Sequence, residues 1–208
     1  MSADYSKTAW FYDALSRMVF GNALNLSQAF FLSHIPEGAN VLIVGGGTGK
    51  ILEDIALIHP NGLQITYVEI SATMIALSQK RNVGDNTIDF LTQPAENLET
   101  PGYFDVVITP FLLDNYTSEQ LPGFIAHISK QLKPSGLWLN TDFQLTGKWW
   151  QKVLLKTMYG FFKLFADIKT SALPDFNAAF ADAGYQLKAK KDFYGDFVGA
   201  QVWMKADG

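Results

Sequence analysis

The sequence predicts an α/β, doubly wound sheet of seven strands with helices on both faces, and three observations carry that prediction. Strand-like and helix-like runs alternate from residue 40 to about residue 141, as they do in a parallel sheet with crossover helices. The aliphatic run Val41-Leu42-Ile43-Val44 leads straight into Gly45-Gly46-Gly47-Thr48-Gly49-Lys50. A strand covered on both faces thus ends in a turn nearly free of side chains. After Gly184, the alternating runs Tyr185–Lys190 and Phe197–Lys205 read as an antiparallel hairpin that closes the sheet.

Composition narrows the function classes. The 208 residues suit one domain with a sizeable core, and 48% hydrophobic, 14% aromatic and 17% charged residues describe a globular chain. The net charge of −4 provides no long-range attraction for nucleic acid, so none is expected as a partner. With no cysteine there is neither a disulfide nor a thiolate metal site. His34, His59 and His127 stand too far apart for ligand spacing, so no metal is expected. No secretory signal and no apolar run of membrane-spanning length is visible. A cytoplasmic protein without stable membrane insertion is therefore expected.

Taken in order, residues 4–34 read as two helices broken at Gly21-Asn22, and Ile35-Pro36-Glu37-Gly38 turns into the first strand. The first strand–helix unit is Val41–Val44 with a helix from Thr48 to Ile58, stopped by His59-Pro60-Asn61-Gly62. The second is Gln64–Glu69 with a helix from Ala72 to Arg81 that Ser71 could cap. Ile88–Thr92 is the third strand and Phe104–Thr109 the fourth. A helix from about Ser118 to Leu132 follows, Lys133-Pro134-Ser135-Gly136 stops it, and Leu137–Thr141 is the fifth strand. Residues 148–165 form an apolar, aromatic helix on which Lys148, Lys152, Lys156 and Lys163 make one basic stripe. Such a helix suits either a lid over a lipophilic substrate, with an interfacial contact through 148–165, or a core helix with its lysines in water. A short helix over Asp175–Ala183 precedes the hairpin.

The glycine run decides between ligands. A dinucleotide fingerprint needs a glycine at the sixth position, where Lys50 stands, and a phosphate loop needs Ser or Thr after Lys50, where Ile51 stands. What remains is Gly45-x-Gly47-x-Gly49 at the strand tip. About twenty residues on, Ile65-Thr66-Tyr67-Val68-Glu69 puts an acid at the end of the second strand, where a ribose hydroxyl pair would find its acceptor. This arrangement resembles motif I of the class I S-adenosylmethionine-dependent methyltransferases. The resemblance continues in Tyr67–Ser71 with Met74, in Phe90–Leu98, in Phe104–Thr109 and in Leu132-Lys133-Pro134-Ser135-Gly136.

The resemblance implies a Rossmann-like single domain over 1–208: an N-terminal helical cap (1–37), a cofactor-binding core (38–143), substrate or lid helices (144–183) and a closing β-hairpin (184–208). It implies S-adenosylmethionine as cofactor and a small, hydrophobic or aromatic acceptor as substrate. Gly45, Gly46, Gly47 and Gly49 would let the backbone approach the cofactor and Glu69 would hold its ribose. Ile70 and Ala95 would sandwich the adenine, Glu96 would lie near its edge, Met74 would belong to the cofactor site with the ribose-binding motif, and Thr109 would sit beside the methionine part. Tyr12, in a Tyr-Asp pair like that of the family's aromatic preamble, would close the pocket with Phe111, Asp114, Trp149 and Trp150 on the acceptor side. Two positions depart from the pattern: Ile43 replaces the acid usual before the first glycine, and Pro94 replaces the Asp that usually meets the adenine amine. Loss of such charge-assisted bonds motivates an alternative, a non-catalytic methyltransferase-like binding module. A nucleotide-dependent reductase is a further rival, weakened by the missing sixth-position glycine. No catalytic residue is determined; Asp114 is the candidate base for an acceptor that must lose a proton.

Overall fold

A computed structural model describes residues 19–165 and 172–206, excluding the side chains of 159 and 161–165. The seven strands are β1 (Asn40–Val44), β2 (Asn61–Glu69), β3 (Asp85–Thr92), β4 (Phe104–Pro110), β5 (Leu132–Phe143), β6 (Tyr185–Phe193) and β7 (Val198–Lys205). They form one sheet in the order β3-β2-β1-β4-β5-β7-β6. Pairing from β3 through β5 is parallel, while β7 runs antiparallel to both β5 and β6. The expected doubly wound sheet with a closing hairpin is the observed one.

The helices are α1 (Ala23–Ala29), α2 (Lys50–Ile58), α3 (Ala72–Ser78), α4 (Leu121–Gln131), α5 (Trp149–Phe165) and α6 (Phe176–Asp182). Two apolar layers cover the sheet. Val41, Ile43, Ile65, Tyr67 and Ile108 pack with α2 residues Ile51, Leu52 and Ile55 on one face. Leu42, Val44, Val68, Val107 and Trp138 pack with Phe124, Ile125 and Ile128 of α4 and with Phe180 of α6 on the other. Alternation of side chains along each strand feeds both layers, which is why the central strands read as unbroken aliphatic runs.

Several boundaries shift for local reasons. β2 begins at Asn61 rather than Gln64, because Asn61 pairs with Asp85 before a register shift. The fifth strand begins at Leu132, which pairs with Phe104, and residues 133–136 bulge out before Leu137 meets Val106. Lys133-Pro134-Ser135-Gly136 is therefore a bulge within β5. α4 starts at Leu121, not Ser118, since the Thr117 and Gln120 side chains cap each other's amides at 3.3 and 3.2 Å, with Pro122 in the first turn. The expected cap helices before residue 19, with Tyr12, lie outside the described residues.

Strand order reverses between β1 and β4, so the carboxyl ends of β1 and β2 stand on one side of a cleft and those of β4, β5 and the start of β7 on the other.

Candidate active site at the carboxyl ends of the strands

On the β1–β2 side the glycine turn is held by backbone bonds and two side chains of β2. The Gly45 amide donates to Val68 O at 2.9 Å. Tyr67 Oη donates to Gly47 O at 2.9 Å, and the Gly47 amide donates to Glu69 Oε2 at 3.3 Å. The second Glu69 oxygen accepts the Ser71 amide at 3.0 Å. Arg81 adds a bond from Nε to Thr48 O at 2.9 Å. Two glycines are required sterically. A Cβ on Gly46 would drive into the Tyr67 ring, and one on Gly49, whose φ is 77°, would lie 2.5 Å from Ser78 Cβ. Burial, and then the neighbouring Glu69 carboxylate, push the Tyr67 hydroxyl above its ordinary pKa, so it remains a proton donor to the loop.

The glycine turn is ordered by this network without an acid at position 43. Ile43 is fully buried between Tyr67 of β2 and Ile108 of β4 and contributes to the core. The ordering of the glycine loop comes from β2 instead. Ile70, 68% exposed just beyond Glu69, offers a flat apolar surface at the rim. Ala95 is buried in a short 3-10 turn that Pro94 begins. Glu96 accepts a bond from Tyr116 Oη at 3.1 Å, linking the segment after β3 to that after β4. Met74 is half-buried, and its amide faces the Ser71 hydroxyl at 3.4 Å. These residues fit a nucleoside: backbone close to the ligand, a carboxylate at the strand end and apolar cover beside it.

One expected contact is corrected. Thr109 is fully buried, with its hydroxyl 2.9 Å from both Asn140 Oδ1 and Trp138 Nε1, so the side chain is committed to β5.

On the β4–β5 side the carboxyl ends of the strands carry a cluster of aromatic rings, mostly buried, and two carboxyls. Phe111 follows β4 with φ 51°, a left-handed conformation strained for a bulky residue. The twist brings its ring to 5.0 Å from that of Phe143 at the end of β5. Phe143 in turn lies 5.2 Å from Phe197 and 5.7 Å from Phe20, and Trp150 lies 5.8 Å from Phe197. The two tryptophans expected on the acceptor side part company. Trp150 packs on this cluster, whereas Trp149 is 77% exposed on the outer side of α5 and is not a lining residue. Successive helix residues diverge by about 100°, so both cannot face inward.

Asp114 sits half-buried in the 3-10 turn Leu113–Asn115. A residue that the sequence reading missed fixes this turn. Asp142 of β5 is 2% exposed, and its Oδ2 accepts the Leu113 amide at 2.9 Å and the Asp114 amide at 3.3 Å. Its Oδ1 accepts the Phe143 amide at 2.9 Å. The polar run Asn140-Thr141-Asp142 inside an otherwise apolar central strand was the available signal. Burial pushes the Asp114 carboxyl up to about 7. Asp142 is raised well above the ordinary range by burial and then by the Asp114 charge.

The two sides meet where a Cβ on Gly45 would lie 2.7 Å from Leu112 Cδ1. The loop after β4 thus borders the glycine turn directly.

Comparison with known proteins agrees with this geometry. Residues 41–136 match the family model described as a methyltransferase domain. Over 168 residues the chain is 28% identical to the ubiquinone/menaquinone biosynthesis C-methyltransferase UbiE of Pseudomonas savastanoi pv. phaseolicola, covering 77% of this chain and 64% of that one. Over 140 residues it is 31% identical to the same enzyme of Pseudomonas fluorescens (strain SBW25), covering 64% and 53%. The chain therefore spans between about half and two thirds of the length of these relatives. Among solved structures, the Burkholderia thailandensis 1,6-didemethyltoxoflavin-N1-methyltransferase, with bound 1,6-didemethyltoxoflavin and S-adenosylhomocysteine, shares the fold with a TM-score of 0.68 at 15% identity, over 97% of this chain and 86% of that one. A SAM-dependent methyltransferase from Aquifex aeolicus shares it with a TM-score of 0.65 at 15% identity, over 99% and 100%. With a matching domain model, a seven-stranded mixed sheet and a glycine turn tied to an acid at the end of the second strand, residues 41–136 are similar to a methyltransferase domain and the chain has the fold of the S-adenosylmethionine-dependent methyltransferases it is compared with.

Proposed function

We propose that the protein transfers a methyl group from S-adenosylmethionine to a small, hydrophobic or aromatic acceptor. The observation that carries this reading is the partly exposed pair Phe111 and Trp150, backed by the buried rings of Phe20, Phe143 and Phe197 at the ends of β4, β5 and β7 beside Asp114 and Asp142. Aromatic walls bind flat apolar molecules, and a few placed polar groups orient them. The relatives named for ubiquinone and menaquinone biosynthesis support an acceptor of quinol-like character.

When bound, S-adenosylmethionine supplies an electrophilic methyl on a sulfonium. The protein's part is alignment and exclusion of water. Glu69 retains lone pairs for a ribose after bonding Gly47 and Ser71, and the exposed Ile70 side chain covers one adenine face. Phe111 and its neighbours hold the acceptor ring in a dry environment. Asp114, fixed through its amide by Asp142, takes the proton that a phenol or a ring carbon must lose. A carboxyl raised to about 7 is suited to that work near neutral pH. The ring cluster supports an aromatic acceptor without selecting O, N or C as the methylated atom.

Calorimetric titration of S-adenosylhomocysteine into the wild type and Glu69→Ala tests the cofactor part. Micromolar binding lost by roughly a hundredfold or more in the variant is expected, since an ionised hydrogen-bond acceptor is removed. No binding to a folded wild type would instead favour the non-catalytic module motivated by Ile43 and Pro94. A screen of lipophilic phenols, quinols and amines with labelled cofactor then tests the acceptor. For a phenolic acceptor, the wild-type rate should rise through an apparent pKa near 7 and Asp114→Asn should lose that limb.

A further inference from the structure

α5 has two unlike faces. Its inner face is anchored: Gln151 is fully buried, with Oε1 accepting the Thr146 amide at 2.8 Å and Nε2 donating to Gly195 O at 3.2 Å. Leu154, Leu155 and Met158 pack on the aromatic cluster. The outer face covers nothing among the described residues. Trp149 is 77% and Val153 55% exposed, with exposed Lys152 and Lys156 on the same side. At about 100° per residue, Trp149, Lys152, Val153 and Lys156 lie within an arc of roughly 100°. Leu145, in the preceding loop, is a further exposed apolar side chain.

Charge narrows the occupant. The chain has a net charge of −4, yet residues 149–165 contain lysines and no acid. Lys148 is excluded from the stripe because it pairs with Asp196 at 2.8 Å. A second copy docked isologously would set these lysines against their own equivalents without an acid to meet them. A bilayer with anionic headgroups satisfies both components, since tryptophan prefers the interface and lysines meet the lipid charge. No helix among the described residues is long and apolar enough to cross a membrane, so the contact is peripheral.

We propose that the outer face of α5 docks the protein on an anionic lipid surface, with Trp149 and Val153 in the headgroup layer and Lys152 and Lys156 on the lipid charge. The inner face of the same helix packs on the proposed acceptor cluster. Docking therefore brings that cluster to the phase where a lipophilic acceptor would concentrate. This purpose rests on the proposed function, but the docking itself does not.

Sedimentation of the full chain with vesicles of phosphatidylglycerol and phosphatidylcholine, against phosphatidylcholine alone, tests the contact. Binding to the anionic vesicles that weakens with added salt is expected. Trp149→Ser and the double variant Lys152→Glu, Lys156→Glu should each weaken it by roughly tenfold. Leu57→Ser, altering a side chain 82% exposed on α2, should leave it unchanged. The proposal is overturned if the wild type ignores anionic vesicles at low salt, if it binds neutral vesicles equally, or if the α5 variants bind as the wild type does. It is also overturned if sedimentation velocity shows a dimer that Trp149→Ser dissolves, since a second copy would then own the face. Circular dichroism of the same samples checks that the variants are folded, and S-adenosylhomocysteine is titrated into the wild type separately. Failure to bind it would strike the proposed function and not the lipid contact.

Discussion

The two sides of the cleft are held together by different physics. At the ends of β1 and β2 the glycine turn is fixed mostly through its own amides and carbonyls, bonded to Val68, Tyr67, Glu69 and Arg81. Little freedom for substitution remains there, because Gly46 and Gly49 have no room for a Cβ. At the ends of β4, β5 and β7 the site consists of side chains: a ring cluster and a buried acid pair. Backbone bonds demand glycine and one acid at set places, whereas rings can be exchanged for others that fill the same space. The first side suits one fixed ligand, and under the proposed function the second would set the acceptor.

If the two sides are independent, damage to one should spare the other. The largest effect is expected from Phe143→Ala, which removes the ring at the centre of the cluster and should cost about 3–5 kcal/mol of stability in thermal or chemical unfolding. S-adenosylhomocysteine affinity of the folded fraction should stay within about twofold; a large loss would show that the sides are coupled through Leu112 and Gly45. Gly46→Ala should do the reverse. It forces the Tyr67 ring to move and should lower S-adenosylhomocysteine affinity by roughly a hundredfold, with a stability loss of about 1–3 kcal/mol.

The acid pair supplies a test of intermediate size. An Asp titrating near 3.9 when unfolded and about 7 when folded makes the native state the stronger proton binder between those values. Stability should therefore fall as pH rises through that window. Melting temperatures measured from pH 4 to 8 should show the decline, and Asp114→Asn should flatten it. An unchanged slope in the variant would remove Asp114 as its source. The smallest effect is expected from Tyr67→Phe, which loses one hydrogen bond to Gly47 O and should cost about 1 kcal/mol. A few-fold weakening of S-adenosylhomocysteine should accompany it if Tyr67 has replaced the missing acid before Gly45.

Legibility followed the same divide. The cofactor side could be read because close backbone approach leaves a fixed mark, glycines at 45, 47 and 49 and an acid at 69. The acceptor side was read in outline only. The structure places Phe111, Asp114 and Trp150 together at the ends of β4 and β5, whereas the expected inward Trp149 is exposed and the expected cofactor contact Thr109 is buried. Neither departure was visible locally. Whether Trp149 or Trp150 faces the cluster depends on the rotation of α5, which Gln151 sets through Thr146 and Gly195. Thr109 turns away because Trp138 and Asn140, across the sheet on β5, take its hydroxyl. Asp142 was passed over because its partners, the Leu113 and Asp114 amides, are 29 and 28 residues away in the chain.

By itself the sequence determined the sheet, the glycine turn and the acid that faces it, since aliphatic runs, helix spacing and missing side chains are local properties. Tertiary structure alone decided that Tyr67 and Glu69 of β2 hold the glycine turn, that Asp114 shares its setting with a buried Asp142, and which tryptophan looks outward. Each of these depends on a contact between residues distant in the chain. Burial, hydrogen-bond partnership and the resulting shifts in acidity are created only when such residues meet.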